Sequence, residues 1–425
     1  MRAVVLVVIA AVAGWVLKER FFVGTQSVAV SQPAVAVSAA DPVVEGMEAR
    51  LYLNTLRQKA GLGAFYANAA LEKAAAAHAA YLAKNRTDGH DEAAALPGFT
   101  GENPAQRAVA AGYASRLVSE NLSSRNLDFK DSVDGLFGAI YHRFGFLDPL
   151  MDEIGIAYAQ DGSGRRIYVY DMGNYRVNTL CSEDAFAGVG RYITGVCADP
   201  GRKIGYSKYE KALKMSRKHA EALTLWPYDG QRDVPPAFYE EIPDPLPGFS
   251  VSGYPISIIF NGPRTDGVKI TSFRLYDETS REIPVRLMDA KSDPHHLLKE
   301  NQFAIFPLER LEFAMRYTAV VHYLLQGREG KREWHFTTRR FDAPLLAVPS
   351  ETASFDIVPK KSYIVYFEPR GPNDLLKEIH YPRGAVMEQV DPNTFRLEVS
   401  DAGILPFEIS ASGRRVTFRL SNGSE

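Results

Sequence analysis

This sequence has few cysteines and only one long apolar run. It also lacks an excess of charge of either sign. Its 425 residues carry 49 Lys and Arg against 51 Asp and Glu, a net charge of -2. Proteins that bind nucleic acid or an anionic membrane surface usually carry a basic patch, so this balance argues against both partners. Hydrophobic residues make up 46% of the chain and aromatic residues 11%, which is typical of a globular protein with two or three domains.

The one long apolar run lies at the N-terminus, at Ala3–Leu17 between charged residues. It is shorter than the roughly 20 residues of a membrane span and has the length of a signal-peptide core. We therefore predict export, with residues 1–20 as a signal peptide or signal anchor and residues 21–41 as a polar spacer. Cleavage and membrane anchoring both stay open. The predicted location is periplasmic, cell-surface or secreted.

Only two cysteines occur, Cys181 and Cys197. Their spacing is not the Cys-x-x-Cys of a redox or zinc motif. In an exported chain such a close pair favours a disulfide, and closing a loop of about fifteen residues contributes roughly 3 kcal/mol. The alternative is a pair of buried free thiols. The Gly-x-Ser-x-Gly pattern of many serine hydrolases is also absent.

Residues 42–178 combine helical patterns with one pair of strands. The segment 44–60 has apolar residues at helical spacing, and ALEKAAAAHAAYLAKN is so rich in alanine that it predicts a helix. Later, EIGIAYAQDGSGRRIYVYDMG has β-branched and aromatic residues on both sides of a turn, which predicts a hairpin. Helices with an antiparallel hairpin predict an α+β layered domain.

The pattern changes after this domain. Residues 179–249 contain both cysteines, a charged helix and six prolines within Trp226–Phe249, so we interpret them as a linker. Residues 250–342 form short strand patterns separated by turns, which predict a β-sandwich, and residues 343–425 predict a small β-rich unit. The sequence FPLERLEFAMRYTAVVHYLL, leading to WHFTTR, resembles the immunoglobulin-like modules of bacterial surface proteins.

Imidazole and carboxylate side chains in the first domain are the candidates for chemistry. Such groups bind a divalent metal, or act as acid and base, when they converge in a cleft. For each one, an ordinary surface or capping role is the alternative. The candidates are His78, His90, Glu92, Glu102, Glu120 and His142.

Six segments between residues 45 and 175 resemble, in order and spacing, the bacterial branch of the CAP superfamily, which contains cysteine-rich secretory proteins, antigen 5 and plant pathogenesis-related proteins. The segments are LNTLRQKAGLGAF, ALEKAAAAHAAYLAKN, DGH, PAQRAVAAGYASRLVSENL, YHRFGFLDP and EIGIAYA. The resemblance implies an αβα sandwich, in which helices cover both faces of a sheet. With the segments that follow, it implies an αβα domain joined to all-β sandwich modules.

The pair Glu-Asn occurs twice, at Glu102 and Glu120. In the CAP family a helix that ends in Ala-Gly-Tyr precedes a Gly-Glu-Asn motif. The resemblance therefore places Glu120 in the motif and Glu102 in the preceding loop. Glu102 lies just before a predicted helix, where an acid is favoured by the helix dipole, so we assign it a structural role.

By the same matching, His90 and His142 take the positions of the two cleft histidines of the family. Together with Glu120 they would supply two imidazoles and one carboxylate. This set can bind zinc or another divalent metal with open coordination positions.

The sequence departs from the family at one position. The second acid of many members would fall near Gly138, which has no side chain, and Glu92 is the candidate to compensate. Arg143, beside the second cleft histidine, either orders the cleft or pairs with an acid.

The resemblance implies an exported protein that binds a ligand without turning it over. The expected partner is a small molecule, a lipid, a divalent metal or a component of the cell envelope. The alternative is a metal-dependent, peptidase-like hydrolase with Glu120 as the base. A third possibility is a structural adhesin whose cleft has no function.

Overall fold

The computed structural model describes residues 41–183, 186–239, 241–262, 265, 267–400 and 402–421. The chain separates into two compact units, one spanning Val37–Arg340 and the other containing Phe341–Glu425. The predicted signal peptide or anchor, and the spacer up to residue 40, lie outside the described residues. Within the described ranges, no helix has both the length and the apolar character that crossing a membrane requires.

The first domain contains the predicted helices and hairpin. In chain order its elements are α1 (Pro42–Lys59), β1 (Tyr66–Ala67), α2 (Ala69–Asn85), α3 (Pro104–Ala110), β2 (Val118–Ser124), α4 (Phe129–Gly138), α5 (Ile140–Phe146), β3 (Glu153–Gln160), β4 (Arg166–Gly173) and α6 (Tyr175–Ser182). The apolar pattern of SVDGLFGAIYHRF predicts a single helix, but the segment is divided between α4 and α5 because Ala139 is extended, with φ -79° and ψ 119°.

Side-chain caps fix where most of these helices begin. Asp41, Asn68, Asn103, Asp128 and Asn174 each accept a hydrogen bond from an amide in the first turn of the helix that follows. Such a cap satisfies an amide that would otherwise lack a partner. Helix α5 follows an alanine and has no side-chain cap of this local kind.

The sheet of this domain has the strand order β1–β3–β4–β2, with β1 parallel to β3 and the other pairs antiparallel. Successive side chains of a strand point to opposite faces. On β4, Tyr168, Tyr170 and Met172 pack in the core cluster that contains residues of α1, α4 and α5. Ile167 and Val169 instead pack against α2. The predicted α+β class and αβα sandwich are therefore confirmed.

The predicted disulfide is also confirmed, because Cys181 on α6 is bonded to Cys197. Both sulfur atoms lie in a small buried cluster with Val177 and Ile204. The segment continues through β5 (Tyr192–Ile193), β6 (Ile204–Gly205), α7 (Tyr206–Ser216) and a 3-10 turn at Arg217–His219.

A β-sandwich follows, and it fits an immunoglobulin-like module. Its strands are β7 (Leu223–Trp226), β8 (Gln231–Val234), β9 (Ala237–Tyr239), β10 (Val251–Gly253), β11 (Ile256–Phe260), β12 (Lys269–Asp277), β13 (Glu282–Ile283), β14 (Val285–Met288), β15 (Gln302–Pro307), β16 (Arg316–Leu325) and β17 (Arg328–Thr338). The two larger sheets have the orders β14–β15–β11–β7 and β13–β12–β16–β17–β8. Strands β7, β8 and β9 lie within the segment predicted as a linker. They can form there because the prolines of the segment flank the strands rather than interrupt them.

The αβα domain and the β-sandwich share one hydrophobic core. Phe137 of α4 stacks on Trp226 of β7 with ring centroids 4.1 Å apart. Arg143 of α5 is fully buried and donates to the carbonyl oxygens of Phe137 and Pro255, both at 2.7 Å. The sandwich thus covers the α4–α5 side of the first domain.

The second unit is a smaller β-sandwich with its own core. Its strands are β18 (Leu345–Val348), β19 (Thr352–Ile357), β20 (Ser362–Phe367), β21 (Ile379–His380), β22 (Ala385–Asp391), β23 (Thr394–Val399), β24 (Phe407–Ala411) and β25 (Arg414–Leu420), with a 3-10 turn at Ala402–Ile404. Two four-stranded sheets, β18–β20–β23–β22 and β19–β25–β24–β21, enclose buried residues that include Val365, Phe395 and Phe418.

Candidate functional site

Glu120 lies in the middle of β2 and is buried, with 8% of its surface exposed. Its Oε1 is 2.9 Å from Nδ1 of His90, and its Oε2 accepts a hydrogen bond of 2.7 Å from Nη2 of Arg107. Because an ionised carboxylate can only accept, the proton of this contact belongs to Nδ1 of His90. Both oxygens of Glu120 are therefore occupied by donors from the loop after α2 and from α3.

Glu120 also faces a second acid, Asp171, directly across the β2–β4 ladder. Burial alone would raise the pKa of Glu120, but the hydrogen bond from His90 and the charge of Arg107 outweigh burial and lower it. Burial and the neighbouring Glu120 raise the pKa of Asp171 well above its ordinary value. Neither side-chain oxygen of Asp171 meets a donor, and two buried carboxyl groups this close to each other disfavour ionisation of both at once.

The rings of His90 and His142 lie near each other, with centroids 6.3 Å apart. The side chain of His90 is 45% exposed and that of His142 is 17% exposed. The structure thus brings together the three residues that the sequence analysis selected, His90, Glu120 and His142, although only the first two are in direct contact.

His142 has a partner that the sequence analysis missed. Its Nδ1 is 2.7 Å from Oε1 of Glu241, a buried residue of the segment between β9 and β10. The same oxygen accepts from the backbone N–H of Tyr141 at 3.1 Å. No motif marks Glu241, because 99 residues separate it from His142 and the contact depends on tertiary packing.

The two weaker candidates, Glu92 and Arg143, have structural contacts instead. Glu92 is buried, binds Nδ1 of His78 at 3.0 Å and accepts from the backbone N–H of Thr100 at 2.6 Å. It therefore holds the loop that carries His90. Arg143 joins α5 to the β-sandwich rather than lining the cleft.

The three-ligand metal site predicted at His90, Glu120 and His142 stays a prediction, and the contacts of these residues indicate which of their atoms could take part. Glu120 has no free oxygen, and the described residues contain no cluster of three His, Cys, Asp or Glu side chains that could hold a metal ion. Each of His90 and His142 makes its side-chain hydrogen bond through Nδ1, which leaves Nε2 of both rings for a ligand. Histidines that ligate metals usually donate their other N–H to a carboxylate, which matches the two pairs seen here. The two imidazoles fit a metal that takes its remaining ligands from outside the protein.

Three cavities in the first unit have volumes of about 390, 270 and 660 Å³. None of them is lined by His90, Glu120 or His142. The largest lies between the start of β3 and the turn after α7, with Asp152, Tyr175 and His219 in its wall. The candidate cleft is therefore separate from all three.

The family match lies within the αβα domain. Residues 51–172 match the model of the cysteine-rich secretory protein family, CAP. No curated protein matches the chain.

Among solved structures, an outer surface protein from Borrelia burgdorferi is 23% identical, with a TM-score of 0.29 over 32% of this chain and 96% of its own. An extracellular protein with an SCP domain from Bacillus anthracis is 14% identical, with a TM-score of 0.28 over 31% of this chain and 41% of its own. Each likeness covers about a third of this chain, so the assignment rests on the family model. Residues 51–172 of the chain form a CAP domain.

Proposed function

We propose that this is an exported CAP-domain protein that binds a small ligand between His90 and His142 without turning it over. The observation that carries the proposal is the pair of partly exposed imidazoles, each held at Nδ1 by a buried carboxylate. Two neighbouring rings that are already held at Nδ1 form a pre-organised binding site, because little side-chain freedom has to be lost when the ligand arrives.

The ligand that this site suits is a divalent metal or a small polar molecule. Imidazole nitrogen is a preferred ligand of zinc, and a bound zinc ion would supply a Lewis acid in the cleft. His90 and His142 are the residues that would hold it, while Glu120 orients the first of them. A lipid is less well supported, since sites for large apolar ligands are usually enclosed cavities and none of the three cavities described above contains these residues.

Two features support export. The disulfide between Cys181 and Cys197 is typical of proteins that fold in an oxidising compartment. The predicted signal peptide or anchor agrees with this location.

The contacts of Glu120 do not favour the hydrolase alternative. A general base must reach the proton that it removes. Both oxygens of Glu120 are already bound, and the lowered pKa reduces its basicity. We therefore propose binding rather than catalysis.

Calorimetric titration of zinc into residues 41–425 tests the proposal. We expect micromolar or tighter binding by the wild type, and at least a tenfold loss in both His90→Ala and His142→Ala. The matched control is His322→Ala, which removes an exposed histidine of β16 and should bind as the wild type does. Binding that survives both cleft substitutions would exclude this site for the metal. If zinc does not bind at all, a screen of small polar molecules against the same variants decides whether the cleft binds anything.

A further inference from the structure

We infer that Glu241, which lies outside the CAP segment 51–172, is a positioning residue of the cleft. It fixes the His142 ring with the proton on Nδ1, so that Nε2 is left for the ligand. The role that we assign to Glu241 rests on the proposed function, because it assumes that the two histidines bind a ligand. The contact between Glu241 and His142 does not depend on that function.

The geometry assigns one oxygen of Glu241 to three donors. Oε1 lies 2.7 Å from Nδ1 of His142, 3.1 Å from the backbone nitrogen of Tyr141 and 3.4 Å from that of His142. These amides belong to the first turn of α5, which begins at an alanine and has no local cap. Glu241 thus caps the helix and holds its histidine at the same time, which ties the ring to the backbone that carries it.

Burial makes the negative charge of a carboxylate at this position costly unless other groups stabilise it. Glu241 is 5% exposed, and its second oxygen, Oε2, is buried without a hydrogen-bond partner. An ionised carboxylate in such a place is costly unless charge and hydrogen bonds compensate it. Compensation here comes from the three N–H groups and from Arg143, whose pKa is lowered by burial against the opposing effects of Tyr254 and Glu241.

The cleft therefore contains two matched pairs. His90 is held by Glu120 at 2.9 Å and His142 is held by Glu241 at 2.7 Å. The first acid comes from a strand of the CAP domain. The second comes from a part of the chain that the family model does not cover.

The β-sandwich fixes where Glu241 lies. Strand β9, which ends at Tyr239, precedes it closely in the chain and pairs with β10. Three residues after it, the carbonyl oxygen of Asp244 is 2.8 Å from Nε2 of His295 in the sandwich. Asp293 of the same loop accepts from the hydroxyl of Tyr141, next to the cleft histidine, at 2.5 Å. The second pair is therefore assembled only when the sandwich packs on the CAP domain.

The test is the tautomer of His142, read from ring ¹⁵N chemical shifts of residues 41–425 labelled at histidine, at pH 8. In the wild type we expect Nδ1 to be protonated and Nε2 unprotonated. Glu241→Ala should lower the Nδ1–H fraction of His142 severalfold, while Glu241→Gln, whose amide oxygen can still accept, should restore most of it. The His90 signals should not change in either variant, and Glu329→Ala, an exposed acid of β17, should leave both rings unchanged.

The inference would be overturned by a wild-type His142 that is protonated at Nε2, a result that needs no variant to fold. It would also be overturned if His142 kept its tautomer in a folded Glu241→Ala protein. Because this readout requires no ligand, it is independent of the zinc titration. Zinc binding without the expected tautomer contradicts the role of Glu241 alone, whereas the expected tautomer without any ligand contradicts the proposed function alone.

Discussion

At the scale of single residues, the pair Glu120 and Asp171 explains how the cleft holds its charge. Two buried carboxyl groups opposite each other on neighbouring strands cannot both ionise cheaply. Arg107 and His90 stabilise the negative charge on Glu120, so of the two acids Asp171 is the one whose ionisation is disfavoured.

Asp171→Asn should change how stability depends on pH. The pKa of Asp171 is higher in the folded state than in the unfolded state, so the unfolded chain releases this proton first as pH rises. Stability should therefore fall with rising pH from about pH 4 up to the folded-state pKa, by about 1.4 kcal/mol for each unit of the shift. The variant, whose amide donates without titrating, should lack this fall and be more stable than the wild type at pH 8.

Urea unfolding of the first unit at pH 5, 6, 7 and 8 measures this difference. Above pH 5 the lowered pKa of Glu120 contributes little change, because its stabilising effect is lost only as pH falls through that pKa. Asp91→Asn removes an exposed acid next to His90 and serves as the control. Parallel pH curves for wild type and Asp171→Asn would contradict a protonated Asp171.

At the scale of elements, the segment after the CAP sheet depends on its disulfide. Helix α6 and the two short strands β5 and β6 bury only a small cluster around the sulfur atoms. Short elements with little buried surface gain much of their order from a cross-link, because the bond restricts the unfolded chain. The sequence separation of the two cysteines is 16 residues.

The double variant Cys181→Ser, Cys197→Ser should therefore lose roughly 3 kcal/mol of unfolding free energy. Guanidinium unfolding of the oxidised proteins gives the value. Adding dithiothreitol should lower the stability of the wild type towards that of the variant and leave the variant as it was. Equal stability of the oxidised wild type and the variant would show that the bond adds nothing.

At the scale of the whole molecule, residues 37–340 behave as one unit. On the side of the CAP domain that carries α4 and α5, Trp226 completes the core, and the buried Arg143 donates a hydrogen bond to the carbonyl oxygen of Pro255. The opposite side, where α2 packs on Ile167 and Val169, needs no residue beyond the CAP domain. The two sides should therefore respond differently to removal of the sandwich.

Hydrogen exchange of residues 41–200, compared with residues 41–340, tests this difference. In the shorter fragment we expect amides of α4 and α5 to exchange at least tenfold faster, because Phe137 and Arg143 lose the groups that bury them. Amides of α2 should keep most of their protection and provide the internal control. Equal protection of α4 and α5 in both fragments would show that the CAP domain does not depend on the sandwich.

Local features of the sequence were enough to predict much of the fold. Alanine content and apolar spacing predicted α2 and α1, and alternation around a Gly-rich turn predicted the β3–β4 hairpin. Two nearby cysteines predicted the disulfide. The strands β7 to β9 were missed because a high proline content predicts a linker. The sequence alone does not show that these prolines lie at the ends of strands. The break at Ala139 was missed for a similar reason, since the apolar pattern continues across it.

For the candidate site, the sequence by itself determined which residues match the family motifs, and through that resemblance it selected His90, Glu120 and His142. Motif residues are found because their neighbours in the chain mark them. Only the tertiary structure decided that Asp171 lies opposite Glu120 and that Glu241 holds His142, since pairing across strands and packing between domains join residues that are distant in sequence. A carboxylate becomes part of a site through burial and the donors around it, and both are properties of the folded chain.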